Sequence, residues 1–357
     1  MRFSTLLLLL SGLLTAGITQ AQTTEFIFSP DGTGDISDPM AFNFQNGVRG
    51  LSGPYDLDGD GKLEVLLAQH SSAGGRVHVI ENSGPDTWEL VYSTAVLDSS
   101  GSSQNARHAV GTDVDGDGNM EIVYVAGVFS NADKNPLYKV GAYIWEHDGV
   151  VGPDKYGTAP AFIANYYERD GLGDATSARA EHMESADIDG DGRYELLIPS
   201  NGPSAQDIAY VIGIVGDIEP NGFDATFATV NIEGRLGPRE NGNAFGGGSP
   251  NAVTYGDYNG DGAMDISWMV WNNFNVMNQT VAGVDSVIQA DTLADNRNLK
   301  AAESDDVALF SGFSGDIDGD GNDEAVWINW YDRPNGDGVK DASILDYDDG
   351  DNVLEIT

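Results

Sequence analysis

The sequence predicts an all-β protein made of repeated four-stranded antiparallel units, and three observations predict it. A nine-residue acidic motif, D-x-[DN]-x-D-G-x-x-[DE], occurs five times; a β-rich apolar run follows each copy; and no long stretch spaces apolar residues at the 3.6 period of a helix. The copies are DLDGDGKLE from Asp56, DVDGDGNME from Asp113, DIDGDGRYE from Asp187, DYNGDGAMD from Asp257 and DIDGDGNDE from Asp316, at intervals of 57, 74, 70 and 59 residues.

Taken in order, each unit begins with a short strand that enters the motif, and a second strand leaves it at 65–67, 122–125, 196–198, 266–270 and 325–328. In the first unit a hairpin follows, 76–81 and 88–93 joined by Ser83-Gly-Pro-Asp86. The last unit ends alike, with 343–346, a turn rich in Asp and Gly, and 353–356; Asp346 and Asp348 read as turn residues and not as a sixth motif. Four antiparallel strands in about 65 residues match a propeller blade. The expected architecture is therefore a β-propeller with five visible blades over residues 22–357, either small and complete or part of a larger ring. Residues 272–303 read as a long insertion. Because Thr357 falls on a predicted strand, the chain reads as a truncated product or fragment, or else as a ring closed by a strand at 25–28 beside the last blade.

The motif suits Ca²⁺, a hard cation that takes six to eight oxygens in flexible geometry. In the loops at 56–64, 113–121, 187–195, 257–265 and 316–324, positions 1, 3, 5 and 9 offer side-chain oxygens. They are Asp56, Asp58, Asp60 and Glu64; Asp113, Asp115, Asp117 and Glu121; Asp187, Asp189, Asp191 and Glu195; Asp257, Asn259, Asp261 and Asp265; and Asp316, Asp318, Asp320 and Glu324. Position 7 (Lys62, Asn119, Arg193, Ala263 and Asn322) offers a backbone carbonyl, because its side chain varies freely. Positions 4 and 6 are always Gly, as a sharp turn around an ion requires, and position 2 is apolar and expected in the core. Without metal the carboxylates repel one another, by about 4 kcal/mol for one pair at 4 Å and an effective dielectric of 20. Folding and about five structural Ca²⁺ are thus expected to be coupled. An EF-hand needs Glu at position 12, which here is Leu67, Tyr124, Ile198, Trp268 and Trp327.

These repeats resemble the FG-GAP and VCBS repeats of bacterial secreted proteins, which are related to the propeller of integrin α-subunits. The fourth unit matches best, with Phe245-Gly246 ahead of its loop. The resemblance implies calcium in the loop between the first two strands of a blade, propellers that usually have seven blades, and a role in extracellular binding or adhesion.

Composition agrees. Met1, Arg2 and Phe3, an apolar stretch at 6–14 and Thr19-Gln20-Ala21 read as a secretory signal peptide over residues 1–21, too short to span a membrane. A formal charge of −40 excludes nucleic acid and anionic lipid as partners, and no membrane insertion is expected. There is no cysteine, so packing and metal must hold the exported chain together, and a monomer is expected.

Two sets of residues compete for the working surface. Trp271, Trp330 and Tyr331, at the outer ends of their strands, either offer rings for sugars or, for the two Trp, pack between neighbouring blades, whereas Trp268 and Trp327 in mid-strand are expected in the core. The expected function is a secreted binding module for extracellular polysaccharide or protein. The enzymatic alternative is a propeller-type lyase for acidic polysaccharide, resembling rhamnogalacturonan lyases. In it His108 and His182, each five residues before its motif and on the first strand of its blade, act with Arg107 and Arg179. His70, His78 and His147 carry no constellation.

Overall fold

The computed structural model describes residues 48–69, 75–85, 87–96, 105–127, 140–152, 155–172, 179–202, 207–220, 228–237, 249–270, 274–283, 286–295, 309–329 and 342–346. The expected signal at 1–21 and the strands at 25–28 and 353–356 lie outside them.

Each motif sits between the first two strands of its own antiparallel sheet, and in every sheet the strands are hydrogen-bonded in chain order. The first sheet is β1 (Val48–Tyr55), β2 (Glu64–Gln69), β3 (Arg76–Gly84) and β4 (Thr87–Ser93). The second is β5 (Asn105–Thr112), β6 (Glu121–Gly127), β7 (Gly141–Trp145) and β8 (Phe162–Ala164), followed by the one-turn helix α1 (Tyr166–Arg169). In the third, β9 (Arg179–Ala180) and β10 (Glu184–Ala186) both pair with β11 (Glu195–Asn201), which continues to β12 (Ile208–Val215) and β13 (Thr229–Leu236). The fourth is β14 (Pro250–Gly256), β15 (Asp265–Val270), β16 (Phe274–Gly283) and β17 (Ser286–Asp295). Three strands of the fifth are described: β18 (Leu309–Gly315), β19 (Glu324–Asn329) and β20 (Ala342–Leu345).

The expected insertion at 272–303 is corrected by β16 and β17, two ten-residue strands that complete the fourth sheet. Their sequences mix Asn, Gln, Thr and Asp among the apolar residues, so the hydrophobic signal of a strand is diluted while the backbone ladder still forms.

The second strands of the second and third sheets, β6 and β11, are apolar on both faces because they are packed on both. Ile122 and Tyr124 of β6 join Leu66, Val79 and Trp145 in the core between the first two sheets. Val123 and Val125 face the other way and meet Leu196, Ile198, Tyr210 and Ile212 of the third sheet. Leu197 and Val211 in turn meet Val253, Ile266 and Trp268 of the fourth. Alternation with a period of two thus stacks successive sheets face to face. Their first strands are neighbours, β1 beside β5, β5 beside β10, β10 beside β14 and β14 beside β18.

First strands share an irregularity that re-aims a side chain. Their ladders slip between Val48 and Gly50, Ala106 and His108, Pro250 and Ala252, and Leu309 and Ser311. In the third sheet the break is wider, from Ala180 to Glu184. His108 therefore lies on β5 as expected, but His182 lies in this break and not on a strand.

Candidate metal centres and the buried histidine pair

Within each loop the backbone closes around the carboxylates by one repeated set of hydrogen bonds. The position-5 N–H donates to Oδ1 of position 3 at 3.0–3.1 Å in all five loops. The position-7 N–H of Lys62, Asn119, Arg193, Ala263 and Asn322 donates to Oδ1 of position 5 at 2.7–2.9 Å. In the first four loops the position-6 Gly N–H donates to the position-1 Asp at 2.8–3.2 Å. Wherever position 9 is Glu, its Oε2 accepts the position-2 N–H, of Leu57, Val114, Ile188 or Ile317, at 2.6–2.7 Å. The glycines at positions 4 and 6 all have φ between +70° and +103°, which a side chain would strain.

The result is oxygen-rich and partly desolvated. In four of the five loops, three or four acidic groups place oxygens within 4.8 Å of one another, among them Asp113, Asp115, Asp117 and Glu121. Glu64, Glu121, Glu195, Asp265 and Glu324 are buried. Oε1 of Glu64, Glu121 and Glu324 and Oδ2 of Asp58 are buried without a hydrogen-bond partner. Buried oxygens with no donor fit a hard cation and nothing apolar.

The electrostatics agree. Burial pushes Glu64 up to about 7, with Asp58, Glu81 and Asp60 adding to it. Glu195 is pushed up to about 8 by burial and then by Glu233, Asp189 and Asp191, and Asp115 to about 6 by burial and the neighbouring aspartates. Burial, and next Glu146, hold Glu121 well above the carboxylate range.

Tertiary structure adds acidic groups that the motif does not contain. The β2–β3 ladder sets Glu81 opposite Glu64, and Asp58, Asp60 and Glu81 form a further cluster. Lys62 spans Asp60 and Glu81 at 2.7 and 2.8 Å. Glu146 follows β7 beside Glu121, Glu233 reaches over Gly213 near Glu195, and Asp346 follows β20 and acts on Glu324. The available signal was an acidic residue on or directly after the third strand, opposite position 9, as at Glu81, Glu146 and Asp346.

Neighbouring loops also touch. Gly116 faces the Arg193 side chain, and Gly260 faces Asn322. Asp257 and Asp323 exchange two hydrogen bonds at 2.9 Å, N–H to Oδ2 and N–H to backbone oxygen.

Residues 56–124 match the FG-GAP-like repeat. This FG-GAP-like repeat runs from Asp56, the first residue of one loop, through the next loop into β6. It holds two of the five cages, and the acidic clusters in it are compatible with Ca²⁺. No curated protein matches the chain.

The histidines do meet. His108 and His182, from adjacent sheets, lie with ring centroids 4.3 Å apart and planes tilted by 43°, and are 7 % and 3 % exposed. Burial, and then the His182 ring, hold His108 well below the imidazole range. His182 Nε2 lies 3.2 Å from Glu184, and Arg107, also buried, donates to Glu181 at 2.5 Å. Arg49 binds the same Glu181 oxygen at 2.8 Å. The Arg179 side chain, Trp271, Trp330, Tyr331 and His70 lie outside the described residues. Trp268 and Trp327 are fully buried, as expected. Among the described residues, no helix is long and apolar enough to cross a membrane.

Proposed function

We propose that the chain is an exported β-propeller clamped by about five structural Ca²⁺, acting as a monomeric binding module for extracellular polysaccharide or protein. One observation carries this reading: the same hydrogen-bonded acidic cage recurs five times at the same corner, between the first and second strands of successive four-stranded sheets. Repetition at a fixed place in the sheet suits a metal that holds each blade, since a catalytic centre needs one site. The match to the FG-GAP-like repeat supports a propeller-like binding module.

When bound, Ca²⁺ supplies the positive charge that lets positions 1, 3, 5 and 9 approach one another; the residues themselves orient the loop and bind it to the core through position 2. Native mass spectrometry and thermal unfolding with and without EDTA test this. About five bound ions and a large fall in Tm on chelation are expected, and a protein that binds no calcium would sink the reading.

His108 and His182 read better as packing between sheets than as a lyase base. Both are nearly inaccessible, a general base must reach the substrate proton, and Arg107 is committed to Glu181. Uronate product formed by wild type and lost in His108→Ala would reverse that assignment. For ligand contact the exposed-aromatic reading of Trp271, Trp330 and Tyr331 stands as the proposal, and weaker glycan-array binding by Trp330→Ala would support it.

A further inference from the structure

Glu146 is distinctive among the acidic groups that the fold adds to the loops. It follows β7 directly, and the β6–β7 ladder pairs Ile122 with Trp145, which sets Glu146 beside Glu121 across the sheet. Side chains opposite each other in an antiparallel pair share one face. Glu146 is 1 % exposed, and neither of its carboxylate oxygens has a hydrogen-bond partner; the same holds for Oε1 of Glu121. The register thus sets it next to position 9 of the second loop.

Two buried carboxylates that face each other must share a proton or a cation, because an unpaired buried charge is strongly unfavourable. The other sheets meet the same need differently. Glu81 is bridged to Asp60 by the Lys62 ammonium at 2.8 and 2.7 Å. In the third sheet Glu233 Oε1 accepts a hydrogen bond from Asn231 Nδ2 at 3.4 Å. In the second loop, position 7 is Asn119, whose neutral amide donates to Asp117 at 2.7 Å and supplies no charge.

We propose that Glu146 is a fifth carboxylate ligand of the cation held at 113–121, making this the tightest of the calcium sites. With Asp113, Asp115, Asp117, Glu121 and the Asn119 carbonyl it completes six protein oxygens, the lower bound for Ca²⁺. Since affinity in oxygen sites rises with ligand charge, this loop fills first. The inference rests on the calcium reading above.

Calcium titration of the full chain, followed by calorimetry and native mass spectrometry, tests it with Glu146→Gln and Glu146→Asp. Glu146→Gln should weaken the tightest binding step about 10- to 100-fold. Its Tm should fall below wild type in calcium and not in EDTA, because the lost contact exists only with the cation bound. Glu146→Asp, which keeps the charge, should recover part of the lost affinity. An unchanged tightest step, or a Tm shift of the same sign in both conditions, would overturn the proposal while leaving calcium binding intact. A wild type that binds no calcium would instead remove the reading on which it rests.

Discussion

Buried polar side chains in this protein divide into those whose polar atoms the chain itself satisfies and those with an oxygen that has no hydrogen-bond partner. His78 belongs to the first kind: it is fully buried, and its ring nitrogens lie 2.7 Å from Ser93 Oγ and 3.1 Å from Gln69 Oε1. Burial, and then the Arg76 charge, lower its pKa to about 3 from 6.5. The unfolded chain therefore binds a proton that the folded chain refuses, so stability is lost as pH falls from 6.5 toward 3. In urea unfolding between those limits, wild type should lose stability more steeply than His78→Gln, by up to about 1.4 kcal/mol per pH unit. Parallel slopes would refute this. Oε1 of Glu64, Glu121 and Glu324 belongs to the second kind. Their motif positions were legible in the sequence because ligand spacing is local. Glu81 and Glu146 were not, since strand pairing carries them there from outside the motif.

At the scale of the element, one loop joins two packing problems. Its odd positions gather oxygens while position 2 anchors the loop to the sheet, and Leu57, Val114, Ile188 and Tyr258 are buried as the sequence predicts. The fifth loop departs from this, with Ile317 50 % exposed. Burial of position 2 is thus set by the neighbouring sheet and not by the loop. Leu57→Ala should cost about 3 kcal/mol by opening a cavity in the core of the first two sheets. Ile317→Ala should change stability by no more than about 0.5 kcal/mol. Chemical denaturation of both variants in calcium checks the contrast, and equal losses would show that position 2 acts through the loop itself. Apolar runs exposed the second strands, of which β6 and β11 are packed on two faces, and missed β16 and β17, whose polar residues break the pattern.

Across the whole molecule, acidic loops accumulate charge that the fold must offset. With Glu64 at about 7 and Glu195 at about 8, against 4.5 as the ordinary value, the metal-free folded state binds more protons than the unfolded state. Its stability therefore falls as pH rises through that window, and on the calcium reading proposed above a bound cation would replace those protons and reverse the trend. The Tm difference between calcium and EDTA should widen from about pH 5 to about pH 8; a constant difference would contradict the shared role of proton and cation. The −40 charge, the repeat number, the loop chemistry and the order of strands within a sheet follow from the sequence alone, because each is local or compositional. Only tertiary structure decided that the His108 and His182 rings are buried and tilted against each other, that Glu181 joins Arg49 and Arg107, and that Glu146 faces Glu121. Those contacts bring together residues far apart in the chain, and sequence spacing carries no information about which side chains meet when one sheet packs on the next.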